Sequence, residues 1–201
     1  MIVHSLILAI ASSTSTPKEL LHSANTLIAH QQWADAAVLL EEYVRSEEEP
    51  TPEAMYDLGV ANYNIGEYES AAKAFDASMA SAIDPTLQTY SAFNLGNAAY
   101  KHTLESLEGK GTEAPSDDDL ILIENAKTQI KEVLESYRTA ITLDPADMDA
   151  RANGELAWQM LQQLDEMQEQ MEEQQQQQQQ QQDDQQQQEQ DEQSADQQKE
   201  N

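Results

Sequence analysis

Apolar residues between Pro17 and Leu164 recur every three or four positions, the interval that places side chains on one face of an α-helix. Leu20, Ala24 and Leu27 form one such set, and Trp33, Ala36 and Leu40 a second, so the segment up to Pro50 predicts two helices. Further on, Leu120, Ile121, Ile123, Ile130, Val133, Leu134 and Tyr137 predict one longer helix. Met160, Leu164, Met167 and Met171 extend the pattern as an apolar seam, either packed at Met160 and Leu164 on the preceding helices or open to self-association. After Met171 the pattern stops. From Gln162 to Asn201 there are 21 Gln, 12 Asp or Glu and the single basic residue Lys199. Such a segment buries too little to offset its ordering entropy, and a disordered or partly helical tail is expected over 162–201.

The helical part also repeats itself. Leu58-Gly59 recurs as Leu95-Gly96, and Ala82-Ile83-Asp84-Pro85 returns, with small changes, as Ala140-Ile141-Thr142-Leu143-Asp144-Pro145. Each conserved-looking position within the chain has a mechanical use. Gly59 and Gly96 let two antiparallel helices approach, Gly66 permits the positive φ of a tight turn, and Ala71 is small where helices cross. Phe75 fills the gap between the pair, and Pro85 and Pro145 stand where a helix ends and the next begins.

These residues resemble the tetratricopeptide repeat, a helix–turn–helix unit of about 34 residues. The resemblance covers 17–161 and implies an all-α helical-hairpin solenoid: units 17–50, 52–85 and 89–145, then a capping helix over 147–161. Ala24 stands where the first unit would carry Gly. Pro85 and Pro145 lie 60 positions apart, an excess of about 26 over one unit. That excess falls near 101–129, where Gly109, Gly111 and Pro115 predict a loop and Ser116-Asp117-Asp118-Asp119 a helix start. It reads as a surface loop or as a partner contact.

Composition narrows the function. The 201 residues carry 38 Asp or Glu against 10 Lys or Arg, a net charge of −28, which argues against nucleic acid because counterion release needs clustered cations. No Cys is present, so thiol catalysis and disulfides are excluded. His4, His22, His30 and His102 form no metal-ligand pair, and no phosphate-loop, nucleophile-elbow or dinucleotide motif occurs. No enzyme activity, metal or cofactor is expected. Met1 to Ala11 reads as a short apolar run ending in Ala-Ile-Ala, a candidate signal peptide over 1–11 followed by a linker at 12–16. Export to the periplasm or cell envelope is one reading; a cytoplasmic protein with an apolar N-terminus is the other. The run is too short to span a membrane.

By resemblance to the family, the concave face of such a stack is lined by the first helix of each unit. Carried over by position, the first unit offers Leu21, His22, Asn25 and Ile28. The second offers Tyr56, Asp57, Val60 and Tyr63, and the third Tyr90, Phe93, Asn94, Asn97 and Tyr100. Tyr supplies area at low entropy cost and Asn bonds peptide backbone in both senses, which suits a peptide-binding groove, although any one of these side chains is equally suited to packing between helices. Leu21, Tyr56 and Phe93 stand where relatives that clamp a C-terminal carboxylate carry Lys or Arg. The order of repeat, Phe93-Asn94-Leu95-Gly96-Asn97-Ala98-Ala99-Tyr100-Lys101, the 149–157 segment and a Gln-rich end resembles the bacterial aerotolerance-operon proteins of the BatC kind. That resemblance implies a cell-envelope scaffold acting with membrane-anchored von Willebrand factor A-domain proteins and a MoxR-type ATPase. A tether that oligomerises through 160–171 and the tail is the alternative.

Overall fold

Three of the helices begin with the same local device. Thr16, Thr51 and Asp84 each sit before a proline and cap the helix that follows: Thr16 Oγ1 accepts from the Glu19 amide at 3.4 Å, Thr51 Oγ1 from Ala54 at 3.3 Å and Asp84 Oδ1 from Thr86 at 3.0 Å. Glu19 returns the contact to the Thr16 amide at 2.8 Å, closing a capping box. The computed structural model describes residues 15–108 and 116–199, and among them every regular element is helical. The helices are α1 (Pro17–Ala29), α2 (Trp33–Ser46), α3 (Pro52–Asn64), α4 (Tyr68–Ser81), α5 (Pro85–Leu107), α6 (Asp117–Leu143) and α7 (Met148–Lys199). The candidate leader at 1–11 lies outside the described residues, as do Gly109, Gly111 and Pro115.

Each helix packs on its neighbour in the chain, from α1 on α2 through to α6 on α7, an arrangement compatible with stacked helical hairpins. Two of the turns are alike. Gly66, between α3 and α4, has φ +85°, and Gln31, at the matching place between α1 and α2, has φ +57°. The left-handed conformation costs nothing at Gly66, whereas Gln31 holds it against the repulsion of its own Cβ.

Packing within the hairpins rests on a ring laid over a glycine. A Cβ added at Gly59 would stand 2.6 Å from the Phe75 ring, and one added at Gly96 would stand 2.7 Å from the Tyr137 ring. Phe75 and Tyr137 are therefore equivalent side chains of successive hairpins, each pressed on the bare backbone of the preceding helix. Ala71 is fully buried beside Phe75 and Ala98. Polar contacts join the helices as well as apolar ones: the buried Ser78 hydroxyl of α4 donates to the Pro52 carbonyl of α3 at 2.8 Å and lies 2.9 Å from the buried Ser91 hydroxyl of α5, so neither is left unsatisfied. Pro85 opens α5, while Pro145 lies in the short connection between α6 and α7.

The 101–129 region differs from a simple loop. α5 continues to Leu107 and α6 begins at Asp117, where Ser116 and Asp119 form a second capping box. Most of the excess is thus extra helix. The buried residues of α6, Ile123, Ala126, Ile130, Val133, Tyr137 and Ala140, alternate steps of three and four, the period of a coiled-coil seam. Facing them, α7 buries Ala150, Ala157 and Leu164, one every seven residues, with Met171 next in the series and partly buried on the same cluster.

Lys127 on α6 fixes the register: its ammonium pairs with Asp165 at 2.8 Å and donates to Gln168 at 2.7 Å. Farther along, Gln175 donates to Asp117 at 2.9 Å. The expected boundary at 161/162 is therefore crossed by one unbroken helix, and packing continues through Met171 to Gln175. Of the methionine seam read from sequence, Met160 and Met171 pack on α6, but Met167 is 45% exposed and lies off the contact. The seven-residue period of α7, with Ala150 and Ala157 as small knobs, is what the choice of methionines as markers obscured.

Candidate functional site

The expected groove residues lie on α3 and α5, whose spacing of three and four brings Tyr56, Val60 and Tyr63 into one row and Tyr90, Phe93, Asn97 and Tyr100 into another. Tyr90 is the open member of the set, 55% exposed. The others are bound into the fold to different degrees. Asn94 Nδ2 donates to the Tyr56 hydroxyl at 2.9 Å, linking α5 to α3, while the Tyr56 ring stands against Phe75 with centroids 5.5 Å apart. Tyr63 meets Tyr68 edge to face at 5.3 Å.

Asn97 has a structural assignment. Its Oδ1 accepts from the Tyr137 hydroxyl at 2.9 Å and from Asn153 Nδ2 at 2.8 Å, so one carbonyl oxygen joins α5, α6 and α7. Phe93 stands 6.2 Å from Tyr137, and Phe93 and Tyr100 both pack on the cluster shared by α6 and α7. On α1, Leu21 and Ile28 pack on the first core cluster, whereas His22 and Asn25 are exposed. Phe93, Asn97 and Tyr100 are thus engaged with α6 and α7. Their partners Tyr137 and Asn153 come from helices that sequence spacing alone could not bring to this place.

Asp57 is the electrostatic anomaly of this face. It is half-buried beside Tyr56, and among the described residues no donor reaches its carboxylate. Burial pushes its pKa from 3.8 up to about 6, with the nearby charge of Glu53 adding to the shift. Tyr56 is raised in turn, first by burial and then by the charge of Asp57, with the Asn94 hydrogen bond opposing. Burial also raises Tyr137, with the Tyr63 and Tyr100 phenols nearby adding to it. Sequence position flagged Asp57 on this row, but nothing in the sequence shows that it would lack a partner.

The face offers aromatic area, amide groups and one uncompensated carboxylate. Its side-chain hydrogen bonds join phenols and amides. Among the described residues no group of three or more His, Asp or Glu side chains is placed to hold a metal ion, and no helix is long and apolar enough to cross a membrane. Compared with known proteins, the chain matches no family model and no curated sequence.

Proposed function

We propose that this protein is a non-enzymatic adaptor of the tetratricopeptide-repeat type, holding a segment of a protein partner across the concave face formed by α1, α3 and α5. The observation that carries this reading is Asp57, half-buried and without a donor among the described residues, on the face where Tyr56 stands near both it and the exposed Tyr90. A half-buried carboxylate without a partner costs free energy in the isolated protein, and such a cost is kept where a ligand supplies the missing donor. Tyr90 adds an open aromatic surface on the same face, near Tyr56. The resemblance to BatC-type proteins extends the proposal to a bacterial cell-envelope assembly with membrane-anchored von Willebrand factor A-domain proteins and a MoxR-type ATPase, reached by export through the 1–11 segment.

The test is capture of partners from native cells by the full-length protein and by a double variant, Asp57→Asn with Tyr90→Ala. Both positions are free of hydrogen-bonded duty in the fold, so the variant is expected to keep wild-type helicity. Partner recovery should fall at least about tenfold, the equivalent of one lost charge-assisted contact. Equal recovery of every partner would remove this face from consideration.

A further inference from the structure

A second concavity lies on the other side of α5. Helix α5 packs against both α4 and α6, which are not themselves a packed pair, and the space left between those two helices is a cleft of about 490 Å³ floored by α5. Its volume falls within the usual range of ligand-binding clefts. Leu95 and Ala99 make the floor apolar, with Ala72 of α4 beside them, and the hydroxyl of Thr103 donates back to the Ala99 carbonyl at 2.9 Å, so it is already satisfied.

The walls are acidic. Asp76 on α4 and Glu132 on α6 stand on opposite sides, and neither has an ion-pair partner among the described residues. The cation of the cleft, Lys73, is engaged by Glu69 at 2.6 Å. His102 lies at the end of the floor toward Thr103.

We infer that this cleft docks a cationic amphipathic helix of a partner protein, with apolar side chains at i and i+4 on the Leu95–Ala99 floor and flanking Lys or Arg on Asp76 and Glu132. Three arguments select that occupant. The backbone groups of α4, α5 and α6 are used inside their own helices, so an extended strand would find no ladder to join, whereas a helix brings its hydrogen bonds with it. An apolar stripe between two carboxylates is complementary to an apolar stripe between two cations. A whole-chain charge of −28 attracts a cationic partner from a distance and repels both a second copy of this chain and its own acidic Gln-rich segment.

The cleft is separate from the face proposed above, and its test separates the two. The full-length protein is titrated with acetyl-KALAKLLKALAK-amide while its backbone amide signals are followed by NMR, in parallel with a peptide in which each Lys is Glu. Expected are shifts centred on Ala72, Leu95, Ala99 and Thr103 for the basic peptide only. Asp76→Lys with Glu132→Lys should weaken binding at least about tenfold, whereas Glu48→Lys with Glu49→Lys, an equal charge change on an exposed loop, should stay within about twofold. Equal weakening by both pairs would reduce the effect to net charge and overturn the inference. So would shifts centred on Tyr90 and Asp57, which would instead favour the α3–α5 face, or an absence of binding.

Discussion

At Asp57 the folded protein holds a proton to higher pH than the unfolded chain, because burial penalises the charged form. Between its ordinary 3.8 and about 6 the folded state therefore binds more protons, and this group's contribution to stability falls as pH rises through that window. Asp57→Asn should stabilise the protein at pH 7 by roughly 1 kcal/mol once solvent screening of a partly open site is allowed for. That gain should shrink through pH 6 and vanish below the ordinary value, which urea titrations across the range would follow; a pH-independent gain would refute the assignment. Gly96 gives a second residue-scale expectation. The Tyr137 ring that a new methyl would strike is buried and tied by its hydroxyl to Asn97, so it cannot swing aside. The overlap, typically 1–3 kcal/mol, outweighs a helix-propensity gain of about 1 kcal/mol, and Gly96→Ala should lower the urea midpoint.

Single helices and turns carry their own consequences. Gln31 adopts the conformation that Gly66 adopts in the next hairpin, yet pays for its side chain in doing so. Gln31→Gly should raise stability by roughly 0.5–1 kcal/mol, the relief of left-handed strain reduced by the larger unfolded-state entropy of glycine. Thermal melting of the variant decides it, and any loss would mean that Gln31 is held by interactions outside its own backbone. Helix α6 shows how an insertion becomes an element: its 27 residues, about 40 Å of helix, reach well beyond the hairpin to which they belong. That length provides the platform on which α7 lies. The ammonium of Lys127, raised in pKa chiefly by its hydrogen bond to Asp165, joins the two helices in the middle of the overhang.

For the whole molecule, packing extends past the expected boundary at 161 to at least Gln175. Deleting 162–201 should remove Leu164, Met171 and the α7 partners of Lys127 together, lowering the melting temperature and exposing the first half of α6 to hydrogen exchange. Deleting 176–201 should change neither. Loss of α6 protection in the shorter deletion would mean that the helix beyond Gln175 also packs. With a cleft between α4 and α6 on the side of α5 away from Tyr90, the molecule has two separate surfaces on which partners of different chemistry are proposed to bind.

Periodicity, proline spacing and recurring Leu-Gly pairs were sufficient to indicate that the segment from Pro17 to Leu164 is helical, that a hairpin turns at Gly66 and that Phe75 packs within that hairpin, because these depend on contacts within about one unit of sequence. The threefold knot at Asn97 was not legible, since its partners Tyr137 and Asn153 lie 40 and 56 residues away. Nor was the isolation of Asp57, because lack of a partner is a property of every neighbouring element at once. The Gln-rich segment shows the division most plainly. Its composition indicates too little burial to offset ordering, and the expectation from it is a disordered or partly helical tail. Only the tertiary structure, by setting the long α6 beside it, decided that the first part of that segment is packed helix, because the apolar surface it covers belongs to another part of the chain.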